Sequence, residues 1–216
     1  SFLVSGSISY LYYANRIFQL PLALFAIATS IALFPRIARY LKNQDELQAK
    51  AFLKKAFWFL VFLLTFSTIG GIILSGEIIY LLFERGAFNA EDTKNTSGVL
   101  AMYMLGLLPF GLQKLFVLWL YAKEMQASAA KIATFSLLTY IILALALITP
   151  YGVSGLALAS TSGGFVSFFL TIKVFGVQNF LDIIRSKMLL YLFLSSLLLI
   201  LALLMLKTFI TPYIML

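Results

Sequence analysis

Apolar runs of roughly 20 residues recur along this chain with polar punctuation between them, the length a helix needs to cross about 30 Å of hydrocarbon. They predict six helices, at 7–41, 52–74, 96–122, 129–148, 153–174 and 188–209. That is the pattern of an all-α polytopic membrane protein with about six transmembrane helices. The first run would be about 50 Å long if straight, so it must tilt, protrude or bend. Pro21 supplies a bend, because its ring removes one backbone hydrogen bond and crowds the carbonyl four residues earlier. After the second run, Ile78, Ile79, Leu81, Leu82 and Phe83 form a short apolar cluster bounded by Glu77, Glu84 and Arg85. It is too short to span. It reads as a helix end or an interfacial helix, then a turn at Gly86, with Asn89 or Asp92 capping the next helix.

Charge changes the picture by giving the spans a direction. Arg36, Arg39, Lys42, Lys50, Lys54 and Lys55, then Lys123 and Lys131, then Lys173, Arg185 and Lys187 fall in loops on one side. The other side holds only Arg85, Lys94 and Lys207, crowded by Glu77, Glu84, Glu91 and Asp92. The positive-inside rule places the first group in the cytoplasm. Most of the net charge of +8 belongs to this topology signal. Nucleic acid is therefore not the expected partner, and anionic lipid head groups are.

Composition then narrows the chemistry. The chain is 62% hydrophobic and 11% charged, with no Cys and no His, against about 45–50% apolar in soluble domains. A disulfide framework, a Cys metal site and a His general base are all excluded. No metal or cofactor is expected, and the chain does not read as an enzyme. It opens at Ser1 inside an apolar run, with Phe2-Leu3-Val4 and no charged region ahead. That is neither a signal peptide nor a natural start, so the chain reads as a fragment, with the residues before Ser7 ending a preceding span.

Two basic side chains fall inside predicted spans, Arg16 and Lys114. Each costs a few kcal/mol or more at bilayer depth unless it meets water, a partner or a bound anion. Arg16 lies roughly 13 Å along its helix, too far for easy snorkelling to head groups. Ser9, Tyr12, Arg16 and Gln19 share one helical stripe with Asn15 beside it, and such a stripe faces a protein interior or a wet cavity. Arg16 is either packing glue bonded to nearby carbonyls or an anion site, since its planar fork matches phosphate oxygens. Lys114 follows Pro109 and Gly111 in a helix expected to be distorted, and its long stem can also snorkel. Gly152, Gly155, Ala159, Gly163 and Gly164 form a close-packing surface rather than a site. Residues 132–172 contain no Asp, Glu, Asn or Lys.

The residues also carry a family resemblance. The stretch Gly6-Ser7-Ile8-Ser9-Tyr10-Leu11-Tyr12-Tyr13-Ala14-Asn15-Arg16, then Gln19-Leu20-Pro21-Leu22 and Phe34-Pro35-Arg36, resembles the "GSIS-x-LYYADR…PLG…LLPRLS" helix of the MurJ/MviN lipid II flippases. Leu82-Phe83-Glu84-Arg85-Gly86-Ala87-Phe88 is similar to the family's "LFxRGAF". Gln113-Lys114 through Tyr121-Ala122 and Gly155-Leu156-Ala157-Leu158-Ala159 resemble its "K-V-L…FYA" and "GLALAT". The resemblance reaches about Phe175.

It implies part of a fourteen-helix, two-lobed fold in which residues 1–216 supply a C-terminal-lobe transmembrane fragment, the eighth to thirteenth helices. The implied activity is translocation of lipid II, an undecaprenyl-pyrophosphate-linked peptidoglycan precursor, across the bacterial inner membrane. Arg16 would meet the pyrophosphate in a central cavity, with Tyr12, Asn15, Gln19 and Lys114 as further substrate contacts. The missing N-terminal lobe and membrane lipids would be its other partners. Asn15 stands where the family usually has Asp, so an Arg–Asp pair is not implied. Residues such as Ala144 replace the family's cation-site residues, so sodium coupling is not implied either. Two other readings stay open, an exporter of another polyprenyl-linked oligosaccharide and a non-transporting membrane scaffold. A membrane enzyme is disfavoured because the spans carry no carboxylate and no His.

Overall fold

The structure is a computed structural model that describes residues 6–214, with side chains through Phe209. The preceding span expected before Ser7 lies outside the described residues. Helix α1 (Ser7–Pro21) runs through a π-helical segment (Leu22–Ile27) into α2 (Ala28–Lys42). Then come α3 (Glu46–Ile73), the short α4 (Ser75–Phe83), α5 (Ala90–Met104) and α6 (Leu107–Ala122). The long α7 (Gln126–Phe175), the short α8 (Val177–Ile184) and α9 (Met188–Ile214) complete the chain. No strand occurs among the described residues.

Five helical stretches are long and apolar enough to cross a membrane: Ser7–Lys42, Glu46–Ile73, Ala90–Ala122, Gln126–Phe175 and Met188–Phe209. The fourth makes two crossings. Its 50 residues would reach about 75 Å if straight, but Gly152 breaks it with φ 54 and ψ −129. Ser136 Oγ donates to the carbonyl of Gly163 at 2.7 Å, which a straight helix would hold about 40 Å away. α7 is therefore a tight antiparallel hairpin. Its arms meet so closely that a Cβ at Gly155 would lie 2.3 Å from the Leu147 carbonyl oxygen.

Where the sequence predicts a bend at Pro21, the helix takes up the strain as a π-helical turn and continues, a common response to an inserted misfit. The helix predicted from residue 96 begins at Ala90 and is interrupted at Leu105–Gly106, so Pro109 sits in the first turn of α6, where its missing N–H costs nothing. Asp45 extends α3 back to Glu46 by accepting from the Gln48 amide at 3.1 Å. The sequence reading did not anticipate α8.

Helix α6 is the axle of the bundle. A Cβ at Gly111 would lie 2.3 Å from Leu64 Cδ1 and 3.2 Å from Ala26 Cβ, so α3 and the π-helical segment both press on this point. Phe110 sits in a notch between Gly106 and Gly164, where added Cβ atoms would meet its ring at 3.1 and 2.6 Å. Further along α6, the fully buried Phe116 packs on Phe57, Phe168, Phe175 and Phe180 at centroid distances of 5.0–6.3 Å, tying α3, α7 and α8 to α6. The pairs with Phe175 and Phe180 are edge-to-face, a geometry that adds about 0.5–1.5 kcal/mol per pair beyond area burial.

The polar connections gather at the two ends of the bundle. At the basic end Lys123 pairs with Glu46 at 2.9 Å, Lys50 Nζ donates to Asn179 at 2.9 Å, and Trp58 Nε1 donates to the Ile183 carbonyl at 3.2 Å. At the opposite end Lys207 donates to the Ile73 carbonyl at 2.8 Å and lies 3.4 Å from the buried Glu77 carboxylate.

The crowding at Gly111 makes a direct expectation. Gly111→Val in the full-length protein should overpack the axle and lower stability by about 1–3 kcal/mol, read as a drop in Tm in detergent. Gly70→Ala is the matched control, since nothing lies within 4 Å of a Cβ there, and should be neutral or slightly stabilising.

Candidate functional site

The face that α1 offers outward is set by what it buries. Ala14 and Phe18 are buried, and Phe18 packs on Tyr103 at 5.6 Å and Phe110 at 5.8 Å. Tyr13 lies against Phe83 at 4.7 Å and Phe88 at 5.5 Å. Tyr10 donates from its hydroxyl to Asp92 at 2.7 Å, joining the start of α1 to the start of α5. These contacts turn the opposite stripe away from the bundle, and Ser9, Tyr12, Arg16 and Gln19 are all exposed while Asn15 is half-buried.

Within that stripe Arg16 has a defined pose. Its Nη2 donates to the Tyr12 hydroxyl at 3.0 Å, and its guanidinium carbon lies 4.8 Å from the Tyr12 ring centroid. One turn of helix therefore supplies both a hydrogen bond and a cation–π contact. The guanidinium keeps further N–H groups for an incoming anion.

The expectation of a turn at Gly86 and a cap at Asn89 or Asp92 resolves into one device. Gly86 has φ +63, the left-handed region that suits glycine. Asn89 accepts from the amides of Glu91 at 2.9 Å and Asp92 at 3.1 Å, and its own amide donates to Asp92 at 2.9 Å. This is a capping box, and the same Asp92 accepts from Tyr10. The "LFERGAF" stretch thus acts as a staple on α1, with Phe83 and Phe88 closing on Tyr13. Thr93 Oγ1 donating to Glu84 holds the loop shut.

Lys114 is exposed on α6 and lines a groove of about 340 Å³ with Ser30, Gln113 and Tyr121 between α2, α6 and α7. Arg16 takes no part in that groove. Of the five sequence-predicted residues, the structure joins Arg16 to Tyr12, places Asn15 and Gln19 beside them on α1, and puts Lys114 in the groove between α2, α6 and α7. Tyr10 and the groove partners Ser30, Gln113 and Tyr121 were not foreseen. Tyr10 lies six residues before Arg16 with the acidic pair Glu91 and Asp92 at the same end, which was the available signal. No group of three or more acidic, His or Cys side chains suited to a metal occurs among the described residues.

Long apolar helices with charge gathered at the two ends define a polytopic all-α membrane protein. The chain belongs to the lipid II flippase MurJ family, whose description "Lipid II flippase MurJ" matches residues 1–215. It is 59% identical over 186 residues to a probable lipid II flippase MurJ of Helicobacter pylori, covering 86% of this chain and 40% of that protein. A second relative so named, from Rhizobium meliloti, is 35% identical over 162 residues, covering 75% of this chain and 30% of the relative. Among solved structures, a lipid II flippase MurJ in an inward closed conformation superposes with a TM-score of 0.73 at 29% identity, covering 98% of this chain and 49% of that one. The chain spans less than half the length of each of these relatives.

The staple on α1 predicts a stability effect. Asn89→Ala should cost about 1 kcal/mol by removing the cap, measured as a fall in Tm of the full-length protein.

Proposed function

We propose that this chain is the C-terminal-lobe portion of a flippase that carries lipid II from the cytoplasmic to the outer leaflet of the bacterial inner membrane. In that reading the chain supplies the eighth to thirteenth of fourteen helices. The N-terminal lobe faces the exposed stripe of α1 and closes a cavity over it. The observation that carries the reading is Arg16, exposed roughly 13 Å along an otherwise apolar helix and posed by Tyr12. A charge at that depth is costly in lipid and stable beside water or an anion.

The mechanism follows from the solvent problem. The polyprenyl tail can stay in hydrocarbon while the pyrophosphate and sugars cannot. A wet cationic cavity lowers the desolvation cost, and rocking of two lobes opens it alternately to each side. Arg16 holds the pyrophosphate through its free N–H groups. Asn15 and Gln19 extend the hydrogen-bonding face, and Lys114 offers a second positive charge from its own groove. The π-helical segment beyond Pro21 is where the α1–α2 helix would bend as the lobes rock.

Arg16→Ala in the full-length protein should abolish rescue of cells depleted of their own flippase, at normal protein levels. Arg16→Lys should rescue only in part, because an ammonium cannot match the planar fork. Tyr12→Phe, which keeps the ring and removes the hydroxyl, should fall between wild type and Arg16→Ala. Full rescue by Arg16→Ala would sink this site and favour a non-transporting scaffold.

A further inference from the structure

At the basic end, α3 leaves one flank open beside the turn from α8 to α9. The opening is a groove of about 700 Å³ whose walls include Lys55, Trp58, Phe59, Phe62, Leu63 and Met188. That volume lies within the range of small-molecule sites. One wall is fixed: Trp58 is buried, donates to the Ile183 carbonyl and packs edge-on against Phe57 at 5.4 Å. Lys54, also on the rim, donates to the Asp182 carbonyl at 2.9 Å and so ties α3 to the end of α8.

The groove is apolar within and cationic at its mouth. Lys54 and Lys55 lie on the α3 side, while Arg185 and Lys187 flank the lining residue Ser186. Lys55, Arg185 and Lys187 are exposed. The ion pairs among the described residues engage Lys50, Lys123 and Lys207 instead. Glu46 is taken by Lys50 and Lys123, which leaves Asp182 as the carboxylate on α8 to set against four cations. The outer surface of α8 adds exposed Val177 and Leu181 at the same level. Aromatic and aliphatic walls under an unpaired basic rim, at the end that carries the positive-inside signal, fit a lipid with an anionic head.

We propose that this groove binds one anionic phospholipid of the cytoplasmic leaflet. An acyl chain lies along Phe59, Phe62, Leu63 and Met188, and the head-group phosphate meets Lys55 with Arg185 and Lys187 beside it. The bound lipid bridges α3 to the first turn of α9, so the charge of the leaflet acts on how α9 is held. The site is separate from the Arg16 stripe and stands whether or not the chain serves lipid II transport.

The test uses the full-length protein reconstituted with brominated phosphatidylglycerol or brominated phosphatidylcholine at low mole fraction. The Trp58 signal is taken as the difference between wild type and Trp58→Phe. Each basic residue near an anionic surface adds on the order of fivefold in partition, so the anionic lipid should quench Trp58 at least about threefold more effectively. The combined variant Lys55→Gln, Arg185→Gln, Lys187→Gln should bring that ratio to about one. Native mass spectrometry of the wild-type protein gives a second reading that does not rely on Trp58→Phe folding, with phosphatidylglycerol retained over phosphatidylcholine. Equal quenching by both lipids would mean ordinary boundary lipid and would overturn the proposal. Absence of quenching by either would mean that protein fills the groove, with the same consequence.

Discussion

The close approach of three helices at Gly111 is the constraint from which the rest of the bundle follows. In hydrocarbon there is little hydrophobic drive for helices to associate, so contact area and small residues must do it. A Cβ at Gly111 would collide with Leu64 and crowd Ala26. The missing side chain therefore sets how near α3 and the π-helical segment come to α6. With that distance fixed, Phe110 drops into the notch made by Gly106 and Gly164, and Phe116 reaches the rings of α3, α7 and α8. Restoring bulk at Gly111 would move each of these contacts together, because cores deform in steps rather than smoothly.

The packing on one side of α1 is also what creates the candidate site on the other. Ala14, Phe18, Leu22 and Ala26 continue as a buried line across Pro21 and into the π-helical segment. One extra residue per turn in that segment rotates the helix beyond it, so the buried line survives a break that a regular α-helix would have carried off course. The capping box at Asn89 and the Tyr10–Asp92 bond then fix the outer start of α1. Tyr12 and Arg16 are exposed because everything around them is committed elsewhere.

Much of this was legible in the sequence because bilayer thickness imposes a length and the loops carry charge. The hairpin in α7 is an example: Pro150 and Gly152 separate two apolar runs, and the structure folds them back at Gly152. Helix α8 was missed because eight residues are too few for a span-length search, although Val177, Phe180, Leu181 and Ile184 repeat at helical spacing between Gly176 and Arg185. The turns after α2 and α6 were invisible for another reason. Both end in the same motif, with Asp45 N–H bonded to Tyr40 O and Met125 N–H to Leu120 O, but the left-handed positions are Gln44 and Glu124 rather than glycine. The polar stripe on α1 was readable from spacing. The groove that Lys114 lines with Ser30 and Tyr121 was not, since it depends on how α2, α6 and α7 pack together.

Helix α9 shows how the two kinds of contact divide the labour. Many of its apolar side chains are exposed, while Leu192, Leu199, Ile200 and Leu203 form a half-buried stripe along the helix, which packs on α3. Near its far end the partly exposed Lys207 reaches the Ile73 carbonyl and the buried Glu77 carboxylate. At its near end Met188 borders the groove beside α3, and from Leu192 onward α9 packs along α3. The helix is thus held by a half-buried stripe packed along α3 as well as by the polar contacts of Lys207. The lipid proposed for the groove would add one more contact at the first turn of α9, whereas glycines set the close approach of α6 and the arms of α7 to their neighbours.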